Sequence, residues 1–167
     1  MPGSPTLTDD LLDGFQAAWS GRDPAAFEAV CAEDVHYEDP LTVKPLSGPA
    51  GLAKHAARLW RGFPDARVET TGARLHDADG RFVAAPCKLV ANHTGQLDEA
   101  LPPTGRFIVV HAIFYCELTA DRSQLWRVRG FYDVYDAGMQ IGVVPKPGTI
   151  GEKALLLLRG FGVRAGR

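Results

Sequence analysis

The segment Tyr37-Glu38-Asp39-Pro40 sets a phenol and two carboxylates directly before a proline. Proline disfavours the helical conformation of the residue preceding it, so Asp39 is expected in extended backbone. It follows a short stretch that reads as a strand and precedes a loop of Pro, Ser and Gly. A carboxylate placed there faces any cavity between the next helix and a sheet. Burial disfavours a charged carboxyl and raises its pKa, which would suit a general base or acid working near neutral pH. The other reading of an Asp-Pro pair is a surface turn. His55 flanks an apolar helical stripe and is expected either at a pocket mouth or on a solvated flank. His36 and His93 are expected at strand ends, and the five histidines show no spacing that suggests a metal site.

These groups need elements to hold them, and the first half of the chain reads as helices. Leu11, Leu12, Phe15, Ala18 and Trp19 recur at helical spacing after Thr8, Asp9 and Asp10. Asp23-Pro24 starts a second, short helix with Phe27, Val30 and Cys31 on one face. Ser47-Gly48-Pro49 opens a third, in which Leu52, Ala56, Leu59, Trp60 and Phe63 form one stripe. The second half reads as strands over 66–76, 81–93, 106–118 and 124–136, rich in Val, Ile, Phe and Tyr. Helices first and strands afterwards imply an α+β fold with a segregated sheet. The run Phe107 to Tyr115 is apolar at nearly every position, so both of its faces should be covered. Helices can cover one; a second copy of the chain is expected on the other, as a homodimer through the sheet face. A short apolar helix near Glu152 to Phe161 is expected as a lid or a dimer arm. Gly160 to Ala165 fits a dinucleotide fingerprint by letters alone, but no βαβ unit surrounds it, and it is rejected.

Composition bounds the function classes. The 167 residues carry 18 Lys plus Arg against 20 Asp plus Glu, a net charge of −2, with 46% hydrophobic residues. A near-neutral chain lacks the basic face that nucleic-acid binding requires, so no nucleic-acid partner is expected. Three dispersed cysteines give no disulfide framework and no CxxC pair. No leader is read in residues 1–10, and no apolar run approaches the roughly 20 residues of a membrane span. A cytoplasmic protein without membrane contact is expected.

The order of motifs resembles a known family. Val30-Cys-Ala-Glu-Asp-Val-His-Tyr-Glu-Asp-Pro40, then Lys44-Pro-Leu-Ser-Gly48 and a helix, is similar to the same region of the ketosteroid isomerases and the SnoaL-type polyketide cyclases. Both belong to the nuclear transport factor 2-like superfamily. His93-Thr-Gly95, Pro102-Pro-Thr-Gly-Arg106, a long strand, Tyr132-Asp133 and Gln140-Ile-Gly142 resemble the cyclase branch. The resemblance implies a cone-shaped α+β roll over residues 1–142. Three N-terminal helices would pack on a strongly curved antiparallel sheet enclosing an apolar pocket, and residues 143–167 would form a C-terminal extension. It also implies roles. Asp39 matches the proton-moving aspartate of the isomerases, and Asp133 the acid–base aspartate of the cyclases. His111 lies near positions that hold an oxyanion or a catalytic histidine. Phe15 stands where the isomerases carry a tyrosine.

Strand parity places Asp133 with Arg127, Arg129 and Phe131, which leaves a structural Asp–Arg pair open. His111 falls with Val109, Ile113 and Tyr115, a face on which it is either a packed residue or a donor. The expected function is a cofactor-independent acid–base enzyme of the isomerase, cyclase or dehydratase type. Its substrate would be a small apolar carbonyl compound, polyketide- or steroid-like. Asp39, Asp133 and His111 would be catalytic, and Tyr37, Phe15, His55, Trp60 and Phe63 would line the substrate site, with no metal. The alternative is a non-catalytic binding or dimerisation module of the same fold.

Overall fold

The computed structural model describes residues 7–97, 99 and 101–158. Residues 1–6 of the region read for a leader, the end of the expected C-terminal helix (159–161) and the glycine pattern at 160–165 lie outside the described residues. The chain runs α1 (Leu7–Gly21), α2 (Ala26–Val30), β1 (Cys31–Glu38), β2 (Leu46–Ser47), α3 (Gly48–Gly62), β3 (Arg67–Thr70) and β4 (Leu75–His76). It continues with β5 (Phe82–Asn92), β6 (Phe107–Leu118), β7 (Leu125–Tyr132), α4 (Val134–Ile141) and α5 (Ile150–Leu158). The fold is α+β, with the three expected N-terminal helices packed against a curved, unclosed sheet.

The strands lie in the order β2-β1-β7-β6-β5-β3, with β4 also paired to β5. The sheet is antiparallel except at one junction, where β1 runs parallel to β7 with Tyr37 opposite Val128 and Glu38 opposite Arg129. That crossing was not expected. It brings Asp39, just past the end of β1, beside Gly130 of β7.

Alternation fixes which side chains enter the core. In β1, Val35 and Tyr37 are buried while His36 is exposed, and Asp39 continues the inward set. In β7, Leu125, Val128 and Gly130 are the buried positions. Phe15 of α1 is fully buried and meets Trp19, Phe27 and Phe114 edge to face. The Trp60 indole donates to the Trp19 carbonyl at 2.8 Å and ties α3 to α1. A second cluster of Phe63, Ala66, Ala91, Ile108, Val110 and Ile141 lies where α4 meets β6.

Three expected boundaries move. The 66–76 strand is two short strands, separated by a turn region at residues 71–74. Cys31, read as the last apolar residue of the second helix, opens β1 instead. The 124–136 strand stops at Tyr132, because Asp133 starts a helix. Its carboxylate accepts from the Asp136 N–H at 2.9 Å, an N-cap, and Gly142 closes α4 in the left-handed conformation. The ladder between β6 and β7 ends at Ala112 opposite Tyr132, so residues 107–111 keep only β5 as a neighbour. The Gln140 side chain fills the vacant side: its Oε1 accepts from the Val109 N–H and its Nε2 donates to the Val109 carbonyl, both at 2.8 Å.

Candidate active site

Asp39 owes its position to its own loop. The Leu41 N–H donates to Oδ1 at 2.8 Å. The Thr42 hydroxyl accepts from the Asp39 N–H at 3.0 Å and donates to the Asp39 carbonyl at 2.9 Å. This Asx-type turn aims the carboxylate inward, and the side chain is only 3% exposed. Inside, Oδ2 accepts from the Tyr37 hydroxyl at 3.0 Å and from His55 Nε2 at 2.8 Å. His55 sits on α3 one position before the fully buried Ala56 and keeps 14% of its side chain exposed. Trp19 lies against both partners, with its ring 5.9 Å from that of Tyr37 and 6.4 Å, edge to face, from that of His55.

The electrostatics run opposite to the sequence expectation. Burial pushes the Asp39 carboxyl up, as anticipated, but its hydrogen-bond donors outweigh that push. The His55 hydrogen bond and charge, the Leu41 N–H and the Tyr37 hydroxyl together hold it below the usual carboxylate value. Asp39 is therefore an anion at neutral pH. The tyrosines move the other way: burial, then the neighbouring Asp39 charge, lift Tyr37 well above the ordinary phenol value. Tyr132, on the inward face of β7, is raised by the same causes in the same order. Both phenols stay protonated and serve as donors. Facing an ionised carboxylate, His55 carries its proton on Nε2 when neutral, which leaves Nδ1 with the lone pair.

A cleft of about 360 Å3 opens beside this group, walled by Pro40, Val43 and Pro45 of the loop and by Arg129, Gly130 and Phe131 of β7. Gly130 sets its depth. A Cβ there would lie 3.3 Å from Asp39 Cβ and 3.4 Å from the Tyr37 hydroxyl, so any side chain would crowd the pair.

The expected catalytic trio does not converge. His111 is exposed on the outward face of β6 with Ile113 and Tyr115, because the inward positions are Ile108, Val110 and Phe114. Asp133 is exposed and occupied as the cap of α4. Arg129, its possible partner, is ion-paired with Glu38 instead. Neither residue stands with Asp39 as sequence reading expected. Of the expected lining residues, Tyr37 and His55 are in the cluster as direct partners of Asp39. Phe15, Trp60 and Phe63 are core residues: Trp60 is bonded to α1, and the Phe63 ring lies tilted against His93 at 5.1 Å between ring centres.

Tyr132 was missed as a site residue, although strand parity already set it with Val128 on the face opposite to Arg129. Its inward turn depends on β7 lying beside β1, a pairing that residue types do not announce. Among the described residues, no group of three His, Cys, Asp or Glu side chains could hold a metal ion, and no helix is long and apolar enough to cross a membrane.

Comparison with known proteins adds the lineage. A SnoaL-like polyketide cyclase from Jannaschia sp. CCS1, so described as a candidate, superposes with a TM-score of 0.71 at 17% identity over 87% of this chain and 99% of its own. A candidate polyketide cyclase from Pseudomonas putida gives 0.66 at 25% identity over 84% and 100%. A protein with a ketosteroid isomerase-like fold from Catenulispora acidiphila gives 0.67 at 17% identity over 81% and 94%. No curated protein sequence matches. The family model for the SnoaL-like polyketide cyclases matches residues 9–141, nearly the whole of the fold and every residue around Asp39, and the chain belongs to that family.

Proposed function

We propose that the chain is a cofactor-independent acid–base enzyme acting on a small apolar carbonyl compound, polyketide- or steroid-like, by isomerisation, cyclisation or dehydration. The buried Asp39–His55 pair beneath two protonated phenols supports this reading. Asp39 is saturated with donors and held low, so it makes a poor proton acceptor. Its role shifts from base to the anion that orients His55. The free Nδ1 of His55 then takes a proton from the carbon next to the substrate carbonyl, and the imidazolium that forms is stabilised by Asp39. Both phenols face Asp39, and Tyr132 donates to the developing enolate oxygen by turning its hydroxyl from that carboxylate to the substrate, while Tyr37 stays on Asp39. Proton transfer by a positioned side chain contributes about 10²–10⁴ in rate.

The test is hydrogen–deuterium exchange at the α-carbon of a panel of cyclic enones and aryl diketones in D2O. His55→Ala and Asp39→Asn should each slow exchange by about two orders of magnitude or more. Exchange unchanged in both variants would overturn the mechanism. One observation favours the second reading, a non-catalytic binding module: the Asp39 side chain is almost wholly covered. Ligand binding with no exchange above the buffer rate would establish it.

The same reading includes a homodimer. Ile113, Tyr115 and Phe131 leave an apolar strip on the outward sheet face, with Phe131 56% exposed. A second copy covering that strip predicts a dimer in sedimentation that Phe131→Glu converts to monomer.

A further inference from the structure

A second cleft, of about 470 Å3, lies beside α4, lined by Arg106, Asp136, Met139, Gln140, Lys146 and Pro147. Its charges are unbalanced. Neither Arg106 nor Lys146 has a carboxylate within ion-pair distance among the described residues. The cleft's one acid, Asp136, is already engaged, because its Oδ2 accepts from Gln140 Nε2 at 2.6 Å.

Arg106 moreover packs against the end of α4. Its guanidinium lies against Gly142, whose absent side chain makes the room: a Cβ there would fall 2.4 Å from Nη1 and 2.6 Å from Cζ. Gly142 holds a φ of 91°, which favours glycine, so the gap is part of the α4 cap itself. The cationic fork therefore rests at the negative end of the helix dipole, and its N–H donors meet no protein oxygen among the described residues. A planar fork placed there suits two oxygens of one anionic group, and Lys146 adds a second positive charge to the same cleft. Met139 and Pro147 offer apolar contact to whatever carries that group.

We infer that this cleft binds a small molecule bearing a carboxylate or phosphate on an apolar body, at a site separate from the Asp39–His55 cluster. The site goes beyond the proposed acid–base function and stands or falls independently of it.

The test is calorimetric titration of the full chain with benzoate, phenyl phosphate, inorganic phosphate and neutral benzamide at low ionic strength. Benzoate or phenyl phosphate should bind saturably, and which of them binds tighter distinguishes a carboxylate from a phosphate ligand. Inorganic phosphate should bind more weakly and benzamide should not bind. Lys146→Ala, a change at an exposed residue, should weaken binding about fivefold and Arg106→Ala about tenfold or more, while Arg106→Lys recovers part of the loss. His55→Ala should leave the affinity unchanged. Benzamide binding as well as benzoate, no saturable binding of either anion, or equal affinity in the Arg106→Ala/Lys146→Ala double variant would overturn the inference.

Discussion

Replacing Asp39 by Asn tests the central claim that the buried carboxylate is held as an anion by its neighbours. The substitution keeps the shape, removes the charge, and turns an N–H2 toward at least one group that is itself a donor. Three donors meet the carboxylate: the Leu41 N–H, the Tyr37 hydroxyl and the His55 ring. Hydrogen bonds to a charged group contribute about 1.5–3 kcal/mol each and neutral ones about 0.5–1.5, so the weakening approaches 1 kcal/mol per bond. Burial of the charge works against this and is the largest single influence on Asp39. The net cost is therefore about 1–2 kcal/mol rather than the full sum. With a urea slope of about 2 kcal/mol per M for a chain of this size, the unfolding midpoint at pH 7 should fall by about 0.5–1 M.

The pH dependence carries the sign. A carboxyl whose folded pKa lies below its unfolded value stabilises the fold above that unfolded value, 3.8, and the stabilisation is lost as pH falls through the folded one. The gap between wild type and Asp39→Asn should accordingly be full well above 3.8 and close as the pH falls below 3.8 and through the lower folded value. Urea melts followed by tryptophan fluorescence at several pH values measure it. A variant as stable as wild type at neutral pH, or a gap that persists unchanged in acid, would refute the account.

Three further outcomes follow from the packing. His93 is fully buried, its Nδ1 accepts from the Thr104 N–H, its Nε2 has no partner among the described residues, and burial lowers its pKa below 6.5. The unfolded chain binds that proton first, so stability should decline as pH drops below about 6.5, and His93→Gln should flatten this limb in pH-dependent melts. Gln140→Leu orphans the N–H and carbonyl of Val109 and should cost about 1–3 kcal/mol in chemical denaturation, with faster amide exchange at Val109. Trp60→Phe removes the bond to the Trp19 carbonyl while keeping most of the ring packing, and should lower stability by about 1 kcal/mol without altering the Asp39 cluster. An unchanged denaturation midpoint in either variant would contradict the corresponding contact.

The fold was legible where the sequence pattern and the burial pattern coincide. The Leu52–Trp60 stripe announces its helix and the inward face, and the Val-rich runs of β5 and β6 announce their strands, although β6 is apolar at so many positions that its inward face had to come from the structure. Legibility failed at 133–141, where Tyr, Val and Asp in Phe131-Tyr-Asp-Val-Tyr-Asp136 suggest a continuing strand. Asp133 three residues before Asp136 was the signal of a cap, and it decides the matter because one side-chain bond redirects the backbone. At the site, Asp39 was visible from its proline and its loop, and Tyr37 from its spacing. The Asp39–His55 contact joins residues 16 apart through the angle at which α3 crosses β1, which no local pattern encodes. The direction of the Asp39 shift was misjudged for the same reason: burial can be read from apolar neighbours, whereas three converging donors exist only in the folded chain. His111 and Asp133 show the opposite failure, in which family position suggested convergence and the parity of β6 and the cap of α4 denied it.

The Gln140 amide against Val109 bears on how this protein behaves when it is stressed rather than when it works. Residues 107–111 of β6 would otherwise offer a bare strand margin in a strongly apolar segment, a template for another chain to extend. A single side chain occupies it, and that side chain rides on an eight-residue helix. Fibril-like growth through β6 therefore requires α4 to lift away first. Conditions that loosen α4 (loss of the Asp133 cap, for example) should raise the aggregation rate well before they lower the melting temperature.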